Sequence, residues 1–288
     1  MPLWLRGVGL LPFWLLYAFA PLLSLLLRYV LRYRVNIARG NLQRCFPEFA
    51  PARIGSIVNS YYWRLGQIVV EFLKLASISA DELRRRVPIT NLQTVRAELA
   101  AGRSVILLAA HLGNWEWQLQ SAVLQIGSPL DAAYKPLHTV GADRALLSLR
   151  GRFGARMVAA KKLLRAVARR RGQLHVIALM ADQIPASSGG RQWVTFLGRP
   201  TAFYPGPGEI ARMTGYTTYF VSMRRTARGH YQMSFLPLMA DGEQLEPEAF
   251  TARYAKFLEA EIRADPANWM WTHRRWKLAP PPQLALQA

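Results

Sequence analysis

The chain has 288 residues, which is enough for one large domain with a full core or for two small domains. It carries 37 Lys and Arg against 17 Asp and Glu, and the resulting net charge of +20 favours polyanionic partners such as nucleic acid, anionic lipid head groups or an acidic protein. The single cysteine excludes an intramolecular disulfide framework and a multi-cysteine metal site.

The N-terminal segment is the most apolar part of the chain, because residues 7–27 include no charged side chain. This length is close to the roughly 20 apolar residues that cross a bilayer core, so residues 1–34 are predicted to form a membrane-anchoring helix. Pro12 and Pro21 interrupt the run, and a proline inside a helix removes a backbone hydrogen bond. A bent or partly embedded anchor therefore stays open, as does a buried core helix.

Basic residues are distributed unevenly around this segment. Arg6 alone precedes it. The arginines that follow it directly are Arg28, Arg32, Arg34 and Arg39. By the positive-inside rule, this asymmetry places the bulk of the chain in the cytoplasm.

Residues 35–278 are predicted to form one domain in which strands and helices alternate. The run 104–110 is continuously apolar and of strand length, as in a strand that is buried on both faces. Residues 81–100 indicate a short strand followed by a helix, and residues 216–238 indicate an antiparallel edge pair. The other predicted strands are 130–135, 155–159 and 174–181, and the predicted helices include 115–126, 142–151, 161–171, 206–214 and 247–264.

Alternation of this kind favours an α/β fold with a mixed, largely parallel sheet flanked by helices, attached to the N-terminal membrane-anchoring helix. Residues 279–288 are rich in proline and are predicted to be a disordered tail.

A histidine follows the predicted strand 104–110, in the sequence His-Leu-Gly-Asn-Trp-Glu-Trp. Ligands of open α/β sheets bind beyond the carboxyl ends of the strands, where His111 would lie. Gly113 permits a sharp turn, and Asn114 is a good N-cap for the next helix. Glu116 is then predicted to fold back onto the imidazole, fix its tautomer and leave the other ring nitrogen as a general base. A histidine satisfied in the core, with a glutamate near a helix N-terminus, is the alternative.

The motif resembles the H-x4-D/E block of the lipid A biosynthesis lauroyl/myristoyl acyltransferases, the late acyltransferases of Gram-negative bacteria. Further blocks in the same order also resemble that family. They are 41–49, 133–158, 179–212 and 268–277.

The resemblance implies a role for each matching residue. His111 would be the general base and Glu116 its partner. Arg150 would bind acceptor phosphates or the oxyanion. The remaining predicted substrate-binding or oxyanion residues are Asp182 and Gln183, beside His111 on the same sheet edge, with Asn114 and Lys135, the last at a position where the family more often has arginine.

The resemblance also implies the partners. The acyl donor would be acyl carrier protein, the acceptor a hydroxyl of an anionic lipid A precursor, and the location the bacterial inner membrane with the catalytic domain on the cytoplasmic side. We expect no metal, no cofactor apart from the acyl-carrier-protein donor substrate, and no nucleic acid.

Two other functions remain open at the level of sequence. The same chemistry on a lysophospholipid, an ornithine lipid or a glycolipid would differ only in the acceptor pocket. A non-catalytic, membrane-anchored protein that binds polyanions would also use the charge of +20, but it has no need of a histidine–acid pair at the end of a buried strand.

Overall fold

A six-stranded sheet forms the centre of the computed structural model, which describes residues 3–185, 190–239 and 242–282. Its strands are β1 (Val105–Ala109), β2 (Leu130–Tyr134), β3 (Arg156–Ala159), β4 (Val176–Met180), β7 (Thr217–Ala227) and β8 (His230–Pro237). Their order across the sheet is β3-β2-β4-β1-β7-β8. The first five run parallel, and β8 pairs antiparallel with β7 at one edge. The predicted α/β class is confirmed.

Helices flank this sheet and separate its parallel strands. From the N-terminus they are α1 (Leu3–Leu10), α2 (Phe13–Leu25) with a π-helical turn (Leu26–Val30), α3 (Val35–Cys45), α4 (Pro51–Lys74), α5 (Ala80–Arg86) and α6 (Leu92–Ala100). Farther along the chain are α7 (Trp115–Ile126), α8 (Val140–Arg150), α9 (Leu163–Arg169) after a 3-10 turn (Ala160–Lys162), α10 (Gly206–Thr214), and α11 (Pro247–Ala264) with a second 3-10 turn (Pro266–Asn268).

The central strands of the sheet are apolar and are covered on both faces. Val105, Ile106 and Leu108 of β1 are fully buried, as the continuous apolar run predicted. β1 pairs with β4 on one side and with β7 on the other, in a register that sets Ala109 opposite Met180. The residues that follow β1 and β4 therefore emerge side by side at the same edge of the sheet.

The strand predicted near the start of residues 81–100 is wrong. Residues 80–86 form α5, whose N-cap Ser79 accepts a hydrogen bond from the backbone N–H of Glu82 at 3.1 Å. Serine three residues before glutamate is the capping-box pattern, and it outweighs the apolar residues that suggested a strand. After α5, the isolated β-bridge of Ile89 with Met233 joins this region to the sheet without forming a strand.

A two-stranded hairpin, β5 (Gln192–Phe196) and β6 (Arg199–Phe203), was not predicted. Its two-residue turn holds Leu197 and Gly198 at φ of +51° and +71°. A leucine rarely adopts positive φ, and the sequence here lacks the Asn-Gly or Asp-Gly pair that usually marks a two-residue hairpin turn. Here the backbone N–H of Leu197 donates to the Glu259 carboxylate at 2.7 Å, which helps to hold the turn.

The apolar N-terminal segment divides at Pro12 into α1 and α2. Within the described residues, one helix, Phe13–Val30, is long and apolar enough to cross a bilayer. Only 22% of that stretch is buried against the rest of the molecule. The predicted division into an anchor (1–34), a domain (35–278) and a tail (279–288) stays a prediction, and most of the tail lies outside the described residues.

Candidate active site

His111 lies directly beyond the carboxyl end of β1, in the short loop that leads into α7. Its ring Nδ1 is 2.7 Å from Asp182 Oδ1, and its backbone N–H donates to Asp182 Oδ2 at 3.0 Å. Asp182 follows β4, the neighbour of β1, and the parallel register brings the two residues together. Trp269 Nε1 donates to the same carboxylate at 2.9 Å.

Asp182 is buried and stays ionised. Burial alone would raise its pKa, but the charge of His111 and the hydrogen bonds from His111 and Trp269 outweigh it and lower the pKa to about 2. Because this lies below the ordinary value of 3.8, the ionised carboxylate contributes stability above about pH 4 that is lost as the pH falls towards 2. An ionised carboxylate only accepts hydrogen bonds, so Nδ1 of His111 donates to it and Nε2 is the ring nitrogen left for another partner. The Gln183 amide nitrogen lies 3.2 Å from Nε2.

Glu116, the acid of the motif, is not the hydrogen-bond partner of the imidazole. Arg150, at the end of α8, holds both oxygens of Glu116: Nε donates to Oε2 at 2.9 Å and Nη2 to Oε1 at 2.5 Å. Burial disfavours the charged guanidinium, but the Glu116 carboxylate more than compensates and raises the pKa of Arg150. The expectation that Glu116 would fold back onto His111 is therefore replaced by two pairs, His111 with Asp182 and Glu116 with Arg150. The physical reason is that Glu116 lies in the first turn of the regular helix α7, whereas the parallel pairing of β1 with β4 brings Asp182 to the ring.

The loop from β1 to α7 is fixed by the C-terminal segment. Gly113, at φ of +52°, donates its N–H to the Asn268 carbonyl at 2.8 Å. A Cβ at this glycine would lie 3.3 Å from the Tyr231 ring, so the position is tight as well as strained for other residues. Met270 N–H donates to the His111 carbonyl at 3.2 Å. These contacts leave His111 little freedom to move.

Asn114 caps α7 as predicted, since its Oδ1 accepts the Trp117 N–H at 3.0 Å. Its amide donates to Glu71 of α4 at 2.8 Å. The hydroxyl groups of Tyr17 and Tyr231 donate to the same buried carboxylate, at 2.9 Å and 2.7 Å. Burial raises the pKa of Glu71, and the three hydrogen bonds oppose that rise. Asn114 therefore has a structural role in this geometry, and Lys135 lies exposed after β2, two strands from β1.

An apolar cavity begins beside this site. Its volume is about 80 Å³, which is smaller than the roughly 300–1,000 Å³ usual for ligand pockets, so an acyl chain would have to widen it or extend from its open side. Its floor is formed by small side chains of the sheet and its roof by α7. The Glu116–Arg150 pair lines it, and so does Trp115, whose ring lies 5.3 Å from that of His111. The alanines that keep it open are Ala109, Ala122, Ala132, Ala133 and Ala178.

Breaking the Glu116–Arg150 pair should destabilise the fold. We expect Glu116→Ala to lower the free energy of unfolding by about 3 kcal/mol, because it leaves a largely buried guanidinium without its carboxylate. Urea titration of the detergent-solubilised protein measures this. The exposed pair Asp81–Arg84 is the matched control, since Asp81→Ala should cost under about 1 kcal/mol. Equal effects of the two substitutions would contradict the expectation.

Sequence reasoning did not identify Glu71, Tyr17, Asn268 or Trp269 as part of this arrangement. The available signal for Glu71 was an acid within the otherwise apolar run 68–73 of α4. A buried carboxylate needs partners, but the sequence does not say which ones.

The match to known proteins covers nearly the whole chain. The family model for bacterial lipid A biosynthesis acyltransferases matches residues 3–278. A lipid A biosynthesis palmitoleoyltransferase of Escherichia coli is 24% identical over 262 residues, which are 88% of this chain and 82% of that protein. A lipid A biosynthesis lauroyltransferase of the same organism is 26% identical over 265 residues, 89% of this chain and 83% of that protein. A phosphatidylinositol mannoside acyltransferase of Mycolicibacterium smegmatis is 24% identical over 219 residues, 75% of this chain and 68% of that protein.

Acyl transfer to a lipid is thus the class of chemistry that these comparisons support. The chain belongs to the bacterial lipid A biosynthesis acyltransferase family. This confirms the resemblance drawn from the motifs, and it makes the chain an enzyme that transfers acyl groups to a lipid acceptor.

Proposed function

We propose that this enzyme moves a fatty acyl chain from acyl carrier protein to a hydroxyl of a lipid A precursor, with His111 as the general base. The observation that carries the proposal is the contact between Nδ1 of His111 and the buried Asp182 carboxylate. Asp182 holds Nδ1, so Nε2 is the basic atom, and it lies at the sheet edge beside an apolar cavity.

The reaction follows from this arrangement. Nε2 accepts the proton of the acceptor hydroxyl while the hydroxyl oxygen attacks the thioester carbonyl. The carbon–sulfur bond then breaks, the ester forms, and the thiolate of the carrier takes the proton back from the imidazolium. Asp182 stays ionised throughout and stabilises the charged imidazole. The chemistry needs no covalent intermediate on the enzyme.

Two further groups support the transfer. The hydrogen bonds of Arg150 to Glu116 use Nε and Nη2, and we assign Nη1 to an acceptor phosphate or to the oxyanion of the tetrahedral intermediate. The cavity under α7 would hold the start of the acyl chain, because its lining is mostly apolar and includes Trp115, whose ring lies 5.3 Å from that of His111.

The positive charge of the chain supports both proposed partners. Acyl carrier protein is acidic and a lipid A precursor carries phosphates, so a chain of net charge +20 attracts either of them. It also supports association with an anionic membrane surface on the cytoplasmic side, where the exposed apolar face of α2 would enter the lipid.

A different acceptor is the second candidate, because one relative is named for phosphatidylinositol mannoside. The test uses the detergent-solubilised chain with lauroyl-, myristoyl- and palmitoyl-acyl carrier protein. A tetra-acylated lipid A precursor, a lysophospholipid and a phosphatidylinositol mannoside are offered together as acceptors. We expect mass spectrometry to find one added acyl chain on the lipid A precursor. Acylation of another lipid instead would move the proposal to that acceptor, and acylation of none would overturn it.

A further inference from the structure

Helix α2 does not project from the domain but lies antiparallel along α4. At its N-terminal end, the Lys74 ammonium donates to the carbonyls of Gly9 and Leu11, at 2.9 Å and 2.8 Å. One turn farther along, the Tyr17 hydroxyl donates to the buried Glu71 carboxylate. The helix therefore meets the last two turns of α4 with its own first two turns.

The C-terminal end of α2 contacts the middle of α4. The Ser24 hydroxyl donates a hydrogen bond to the Trp63 carbonyl at 3.3 Å. Gly66 lets the two backbones approach closely, since a Cβ there would lie 2.6 Å from the Ala20 carbonyl oxygen. Beyond the helix, the Tyr62 hydroxyl donates to the Tyr33 carbonyl. The domain thus contacts α2 and its continuation from one end to the other.

Charged groups of the domain surround the N-terminal end of α2. The Arg86 guanidinium lies 3.8 Å from the centre of the Phe13 ring, and the Arg228 guanidinium lies 5.2 Å from the centre of the Tyr17 ring. Arg86 also donates to the Gly229 carbonyl in the turn between β7 and β8, at 3.0 Å. This turn is part of the central sheet, so the sheet itself reaches the start of the apolar helix.

A perpendicular, membrane-spanning α2 is incompatible with these contacts. The 18 residues Phe13–Val30 are about 27 Å long at roughly 1.5 Å per residue, close to the roughly 30 Å of a hydrocarbon core. If they spanned it, Arg86, Arg228 and the β7–β8 turn would have to reach the far side, and α4 would have to cross with them. The edge strand β8, which leads to this turn, would then lie in hydrocarbon with backbone groups that lipid cannot satisfy.

The outward face of α2 has the composition of a helix that lies in a membrane interface. It exposes large apolar side chains at helical spacing, with Trp14 at 72% and Leu22 at 62% exposed. The other members of this apolar face are Phe19, Leu25, Leu26 and Tyr29, with Trp4 and Leu10 of α1 and Trp63 of α4. The basic residues at its C-terminal end are Arg28, Arg32, Arg34 and Arg39.

We propose that α2 lies in the plane of one anionic lipid leaflet, with both of its ends and the whole domain on the same side of the membrane. The apolar face enters the acyl region, the arginines bind phosphates of the head groups, and α4 stays above the leaflet. This proposal rests on the membrane association proposed above and not on the reaction. Glu71 accepts hydrogen bonds from Tyr17 of α2 and from Asn114 at the start of α7. Membrane association through α2 would therefore hold the active-site loop at a fixed height over the lipid.

Cysteine accessibility in the full-length chain tests the orientation. The single native cysteine is buried, so Cys45→Ser provides the background. One variant adds Arg6→Cys, at an exposed position before the apolar helix, and another adds Glu209→Cys, at an exposed position on the domain. Intact spheroplasts and inverted vesicles are treated with a membrane-impermeant maleimide. We expect both cysteines to react only in inverted vesicles, and reaction of Arg6→Cys in spheroplasts alone would overturn the proposal.

Depth of insertion gives an independent answer if residue 6 is shielded in both preparations. Spin labels at positions 14, 22 and 26 should report equal, shallow depths in vesicles containing phosphatidylglycerol. A spanning helix would instead place the label at position 22 deepest. Flotation of the wild-type chain with the same vesicles tests the association itself, and failure to float would overturn this proposal while leaving acyl transfer, assayed in detergent, unaffected.

Discussion

His111→Ala is expected to lower kcat for acyl transfer by roughly 10²–10⁴-fold, the usual contribution of a general base. The reason is that Nε2 is the atom that accepts the hydroxyl proton in the proposed reaction. KM for the lipid acceptor should change little, because the cavity and the Glu116–Arg150 pair stay in place. The measurement is the rate of ester formation by mass spectrometry over a range of acceptor concentrations.

A second histidine provides the control for this substitution. His230, beside the β7–β8 turn, contacts Arg86 rather than the active-site loop, so His230→Ala should leave kcat unchanged. Both variants should float with anionic vesicles as the wild type does. An active His111→Ala enzyme would show that the imidazole is not the base and would remove the main support for the proposed mechanism.

Much of the fold could be predicted because strands that are buried on both faces consist almost entirely of apolar residues. The run before His111 is apolar at every position, and a strand with that pattern is covered on both faces. A residue that follows such a strand lies at the ligand-binding edge of a parallel sheet, so the position of His111 follows from local sequence alone. The hairpin turn at Leu197 left no such trace, because leucine at positive φ is held by the distant Glu259.

The partner of His111 could not be taken from the spacing of the motif. Glu116 is five positions after His111, and this spacing favours a local pair only if the chain folds back between them. Asp182 is 71 residues away in sequence but adjacent in the sheet, because Ala109 and Met180 are opposite each other and each active-site residue is two positions farther along. Long-range pairs of this kind depend on strand order, which one sequence does not specify.

Substitutions of Asp182 and of Glu116, compared with each other, show which carboxylate orients His111. The motif predicted Glu116, and the structure pairs the imidazole with Asp182. We expect Asp182→Asn to lower kcat by about 10³–10⁴-fold, because an amide that donates to Nδ1 forces the ring proton onto Nε2 and blocks the base. Glu116→Gln keeps its shape beside Arg150 and leaves the imidazole tautomer unchanged. Its effect on kcat should therefore be much smaller, with KM for a phosphorylated acceptor rising instead.

A conservative variant of Asp182 distinguishes loss of the carboxylate from misfolding of the protein. Asp182→Glu retains a carboxylate and should recover part of the activity that Asp182→Asn loses, although the buried site is tight. Thermal unfolding of the three variants shows whether each has folded. If Glu116→Gln instead loses as much kcat as Asp182→Asn while remaining folded, Glu116 must reach His111 during the reaction, and the Glu116–Arg150 pair must open when the acceptor binds. Retention of full activity by Asp182→Asn would leave the base without an orienting carboxylate and would contradict the mechanism derived from the hydrogen bonds of His111.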